Sequence, residues 1–164
     1  MKTPSLILIV LVTASNGGFA ACPVTLPSGS PVDVPNSPAN SFYHWFGSDA
    51  LAVSLKSDGV WLGMGPTHRY RDKLWFWRRG YSADAEPVPA LTLKGVKLHP
   101  GGDPHEFSID RATNAFGQGW SQMLVGMEFP SAGCWQVTAT YISVGVEQEL
   151  TFVVDVVDVP KNST

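Results

Sequence analysis

The chain has 164 residues, of which 44% are hydrophobic and 15% charged, and its net charge is −3. That balance excludes a disordered polymer and argues against nucleic acid as a partner held through phosphate contacts. The length suits one domain with a real core.

Residues 1–20 read as a secretory signal peptide. Lys2 supplies the positive charge, Leu6 to Val12 the apolar core, and Ala14, Ser15, Gly17 and Gly18 the small-residue exit. A membrane-spanning helix needs about 20 apolar residues, and no segment supplies them, so no transmembrane span is expected. Two processing routes stay open. Cleavage after Gly18-Phe19-Ala20 releases a soluble chain, whereas Phe19-Ala-Ala-Cys22 is similar to a bacterial lipobox, which would make Cys22 a lipid anchor. Removing residues 1–20 takes away one Lys and no acid, leaving 10 basic against 14 acidic residues.

Residues 21–40 follow as an extended lead-in. Five prolines lie between Cys22 and Asn40, and proline neither donates to a ladder nor lets its predecessor turn helical. From 41 to 159 the apolar residues come in short bursts closed by Gly, Pro, Asp or Asn, never at helical spacing for more than a turn. Leu51, Val53 and Leu55 share one side of a strand. Ser57-Asp58-Gly59 then predicts a hairpin into Val60 to Gly63. Lys73 to Arg78, Leu91 to Leu98 and Glu106 to Ile109 are further strands, and Asp110 to Phe116 is a possible helical turn.

The last third has the clearest pattern. Met123 to Phe129 is a strand, and Pro130-Ser-Ala-Gly133 turns the chain. In Cys134 to Ile142 the residues Trp135, Val137, Ala139 and Tyr141 alternate with Cys134, Gln136, Thr138 and Thr140; Glu149 to Val157 alternates likewise around Leu150, Phe152, Val154 and Val156. Such alternation means one buried and one wetted face. The whole predicts an all-β, immunoglobulin-like two-sheet sandwich of about 7–9 short antiparallel strands, with a small barrel as the rival and residues 160–164 as a disordered tail.

Pro130-Ser-Ala-Gly-Cys-Trp-Gln-Val137, followed by Glu149-Leu-Thr-Phe-Val-Val154, resembles the closing hairpin of a family of uncharacterised exported bacterial proteins. The same proteins tend to begin their mature part with Cys-Pro-Val-Thr, as at Cys22 to Thr25. The resemblance implies an exported β-sandwich and no particular activity. Its proline-to-glycine turn into an aromatic strand also looks like the edge of periplasmic copper-handling immunoglobulin-like domains, a likeness of fold alone.

Two cysteines in an exported chain read most simply as one disulfide. The alternation places Cys134 on the polar face, so a bridge to Cys22 straps the lead-in across the outside of the sheet. Closing a loop of about 112 residues stabilises by about 4 to 5 kcal/mol in the chain-entropy account. If Cys22 were lipidated instead, Cys134 would be a lone thiol.

The most unusual local composition is His68 to Tyr81. As a strand it sets Lys73, Trp75 and Trp77 on one face, and Trp75, Trp77, Arg78, Arg79 and Tyr81 together form a candidate ligand-binding platform for sugar rings or an anionic partner. The competing reading puts both indoles in the core or beneath the lead-in, with arginine stems over their edges. His44, His68, His99, His105, Met64, Met123 and Met127 are of the types copper takes outside the cell, but their spacing builds no site and no metal or other cofactor is expected. There is no Gly-x-Ser-x-Gly, His-Glu-x-x-His or phosphate loop, and acid pairs such as Glu106 with Asp110 or Glu147 with Glu149 read as surface carboxylates. The sequon Asn162-Ser-Thr164 reads as chance beside a bacterial resemblance. The sequence thus predicts a non-enzymatic envelope module, periplasmic or extracellular, whose partner is an envelope protein or a glycan. A glycan binder and a copper-handling protein are the alternatives.

Overall fold

The computed structural model describes residues 21–27, 34, 43–63, 70–98, 105–117 and 120–158. Residues 1–20, read from sequence as a signal peptide, most of the lead-in, Met64, His68, His99 and residues 160–164 lie outside the described residues.

Ten strands are present among the described residues: β1 (Tyr43–Gly47), β2 (Ala52–Lys56), β3 (Val60–Leu62), β4 (Tyr70–Trp77), β5 (Leu91–Lys97), β6 (Glu106–Ile109), β7 (Ala112–Gly117), β8 (Trp120–Phe129), β9 (Gly133–Ser143) and β10 (Val146–Val157). They form two five-stranded sheets, ordered β1-β2-β4-β8-β7 and β3-β10-β9-β5-β6. This is the expected two-sheet sandwich, and the order is immunoglobulin-like. β2, β4, β8 and β7 take the A, B, E and D positions, while β10, β9, β5 and β6 take G, F, C and C′. β1 is an addition outside A. The last three strands run to 10, 11 and 12 residues, longer than the short strands expected.

Alternation fixes which residues meet between the sheets. In β9 Trp135, Val137, Ala139 and Tyr141 are completely buried, as are Met123 and Val125 of β8 and Leu74 and Phe76 of β4. Each of the larger apolar side chains among them contributes about 1.5 to 3 kcal/mol by leaving water. An aromatic cluster closes one end: Phe129 meets Trp61 edge-on at 5.4 Å and Phe107 at 5.5 Å, and Trp135 lies 5.9 Å from Phe129. The Phe107 ring crosses Gly95 of β5, where a Cβ would stand 2.0 Å from it, so only glycine fits there.

Two local expectations are corrected. The Ser57-Asp58-Gly59 turn exists, with Gly59 at φ +66 and the Val60 N–H donating to Asp58 Oδ1 at 3.0 Å, but no hairpin forms. β2 is already flanked by β1 and β4, and β3 crosses to the other sheet to run parallel to β10, carrying Trp61 into the core. Nor is there a helical turn after Asp110. Ala112–Gly117 is an edge strand, whose Ala112 faces the core while its backbone pairs with β8.

Cys22 and Cys134 form the expected disulfide, with Cα atoms 5.5 Å apart. Trp135 is fully buried while its neighbour Cys134 lies on the outer face opposite Asp155 of β10. Three residues after Cys22, the Thr25 N–H donates to the Val153 carbonyl at 2.8 Å, and the Val153 N–H donates to Thr25 Oγ1 at 2.9 Å. The lead-in therefore crosses β10 from β9 to the strand's other edge, continuing the line β3 occupies further along. It caps an edge that would otherwise invite another strand.

A tryptophan-lined candidate ligand surface

The outer face of the first sheet follows from the same parity. β4 turns Tyr70, Leu74 and Phe76 inward, so Arg71, Lys73, Trp75 and Trp77 face out. β8 turns Met123, Val125, Met127 and Phe129 inward and leaves Trp120, Gln122, Leu124, Gly126 and Glu128 on the other side. In register, Arg71 stands opposite Glu128, Lys73 opposite Gly126 and Trp75 opposite Leu124.

One part of this face is sealed. Trp45 of β1, Ala52 of β2, Trp77 and Val34 from the lead-in form a second buried cluster, against which Trp75 packs. Gln122 is fully buried nearby, and neither of its amide atoms finds a hydrogen-bond partner among the described residues. Leaving such a group unpaired costs about 1 to 3 kcal/mol.

The other part is open. The partly exposed indoles of Trp75 and Trp120 lie 6.1 Å apart at 57°. Beside them a groove of about 470 Å³ is lined by Arg71, Asp72, Lys73, Gly126, Met127 and Glu128. Its floor is low because Gly126 has no side chain and nothing lies within 4 Å of where a Cβ would be. Arg71 Nε donates to Glu128 Oε2 at 2.7 Å across the strands. Both groups are about half exposed, so this pair orients donors and acceptors more than it stabilises the fold. Lys73 Nζ forms no ion pair among the described residues. Asp72, at the groove's edge, is held by Lys56 at 3.3 Å and by the Tyr43 hydroxyl at 3.4 Å. Burial, reinforced by Asp72, pushes the Tyr43 phenol above its usual range, so it stays a donor.

The five residues grouped by sequence divide three ways. Trp75 and Trp77 share the outer face, but Trp77 is only 7% exposed. Arg79 is exposed at the rim, paired with Asp49 of the β1–β2 turn through Nε at 2.8 Å. Arg78 and Tyr81 turn inward. The Arg78 guanidinium donates to the Tyr141 hydroxyl at 2.8 Å and pairs with Glu86, and it lies over the Tyr141 ring at 5.4 Å. The Tyr81 hydroxyl donates to Asn114, whose amide in turn donates to the Glu86 carbonyl at 2.8 Å. These bonds fasten the β4–β5 loop. The outward residues of β8 were missed in the sequence, although Trp120, Gln122, Leu124, Gly126 and Glu128 already stand at alternate positions there.

No family model, curated protein or solved structure matches the chain. Of the histidines and methionines of the types copper takes, His44 of β1 and His105 just before β6 are exposed, and Met123 and Met127 are buried in the core. Among the described residues no three His, Cys, Asp or Glu side chains gather as a metal site would require, and no helix is long and apolar enough to cross a membrane.

Proposed function

We propose that this chain is an exported, non-enzymatic module of the cell envelope that binds a glycan on the outer face of its first sheet. The observation that carries the reading is the pair of partly exposed indoles, Trp75 and Trp120, beside a groove whose polar groups are Lys73 and the Arg71–Glu128 pair. Indole faces stack on the C–H surfaces of pyranose rings, while a fixed cation and carboxylate hydrogen-bond hydroxyls. Glycine at 126 leaves space for a ring between them. Export is supported by the signal-like residues 1–20 and by the disulfide, which persists in oxidising compartments. The disulfide occupies the Cys22 sulfur, which favours a soluble chain over a lipid-anchored one. The resemblance to exported bacterial proteins agrees with that compartment.

Tryptophan fluorescence titrated with oligosaccharides from peptidoglycan, chitin, cellulose and alginate tests the reading. One of them is expected to change the emission saturably. Trp75→Ala should weaken that binding at least tenfold and Lys73→Ala by about three- to tenfold, both proteins melting like the parent. A flat response to the whole panel, or binding that survives Trp75→Ala, counts against it.

A further inference from the structure

Six large apolar side chains are exposed among the described residues, and four of them gather at one end of the sandwich: Val88 (80%), Ile142 (49%), Val144 (100%) and Val146 (57%). Ile142, Val144 and Val146 form the tip of the β9–β10 hairpin. Val88 lies in the adjoining β4–β5 loop, two residues before Ala90, whose carbonyl accepts the Ile142 N–H at 3.0 Å. In the immunoglobulin order these are the F–G and B–C connections, which emerge side by side.

The tip breaks two local rules at one residue. Ser143 and Val146 pair across a two-residue loop in which Val144 has φ 49 and Gly145 φ 77. Both central residues of such a loop sit in the left-handed region, where Asn-Gly is the usual choice and a β-branched residue is strained. Val144 thus takes a backbone that asparagine takes more readily, and leaves its whole side chain in water where asparagine would be soluble. Neither folding nor solubility accounts for valine there, and strain that serves neither points to a site.

The end is also held rigid. Below the tip the Arg78, Glu86, Tyr141, Tyr81 and Asn114 bonds fix the β4–β5 loop, and Asn114 also donates to the Pro87 carbonyl at 3.0 Å, immediately before Val88. The apolar side chains are therefore presented on a set frame.

Charge selects the occupant. Arg78 and Arg79, the cations of this end, are paired with Glu86 and Asp49. Asp84, Glu147 and Glu149 are exposed and form no ion pair among the described residues. An apolar tip in an acidic surround is repelled by anionic lipid and by a second copy of itself, and is complementary to an apolar cleft with a cationic rim. We infer that the β9–β10 tip, with Val88, is a docking element for a partner protein whose cleft is apolar and edged by Lys or Arg.

The full-length mature protein carrying the photo-crosslinker benzoylphenylalanine at Val88, irradiated in the envelope of the organism that encodes it, tests this. One discrete protein adduct is expected, and its cross-linked peptide should be apolar and flanked by Lys or Arg. The same group at Thr151, on the outer face of β10, should give none. Val144→Asn should cut the Val88 adduct at least fivefold while raising the melting temperature by about 2 to 6 °C, since it relieves the turn. The proposal is overturned by any of the following: no adduct, an adduct of twice the chain's mass, lipid alone, a contact peptide without cations, an adduct indifferent to Val144→Asn, or a Val144→Asn protein that melts lower than the parent.

Discussion

Gln122 concentrates a conflict that one substitution resolves. Its amide is buried in the tryptophan layer with no partner among the described residues, so folding strips it of water and returns nothing. Gln122→Leu keeps the volume and removes the polar atoms. It should stabilise the domain by about 1 kcal/mol in urea unfolding, and a loss of stability would mean that the amide is satisfied in solution. Trp135 is the contrasting case. It is equally buried, but its indole N–H donates to the Ser131 carbonyl at 3.0 Å, so burial leaves nothing unpaired. From sequence alone the two are distinguishable only in part. Trp135 announces its side by the alternation around it, whereas Gln122 stands between Trp120 and Leu124 as a polar residue that any pattern would send to water.

Among the elements, the β9–β10 hairpin was readable because its inward pairs Leu150–Ala139, Phe152–Val137 and Val154–Trp135 are apolar while the pairs between them carry polar residues, with no competing period. β3 was not, because a tight turn records only that the chain reverses. Which sheet it enters depends on Trp61 meeting Phe129, 68 positions later in the chain. β7 was hidden by its Thr and Asn content, which favours turns until β8 is there to pair with it. The β4–β5 loop misled in another way: its Arg and Tyr are of the types a binding platform uses, yet they fasten the loop. Burial, the first cause in each case, raises the phenol pKa of both Tyr81 and Tyr141 above the usual 10.0, with Glu86 adding to it. Both phenols are neutral in the folded and unfolded chain below pH 10, so their contribution to stability is constant there. Above it the unfolded chain ionises first and the contribution is lost. Melting temperature should therefore hold level from pH 8 to about 10 and then fall, and Tyr81→Phe should flatten the fall. An unchanged alkaline slope in that variant would show that Tyr81 does not titrate differently on folding.

For the molecule as a whole, the disulfide is the longest-range constraint, joining positions 112 residues apart. Replacing both Cys22 and Cys134 with Ser should cost about 3 to 5 kcal/mol, read as a lower urea midpoint at an unchanged slope. Reduction of the intact protein should add about 2 Da. A mass increment the size of a diacylglycerol, with no change on reduction, would replace the bridge by an anchor. The two-sheet class and the cysteine pairing were legible because each rests on counting and parity. The candidate ligand face was less so, since Trp75 and Lys73 share it with β8 residues distant in the chain, and only the folded register brings Lys73 opposite Gly126.

The parallel pairing of β3 with β10 also sets an order of events. A chain delivered from its N-terminus presents Val60–Leu62 and Cys22 long before Asp155–Val157 and Cys134 arrive to receive them. The second sheet cannot close before then, so the early strands wait with open edges and an unpaired thiol until Cys134 and Asp155–Val157 have emerged. Folding should be slow and single-step for this topology, and whatever accompanies the emerging chain has that interval in which to shield its edges or to hold the Cys22 thiol until Cys134 arrives.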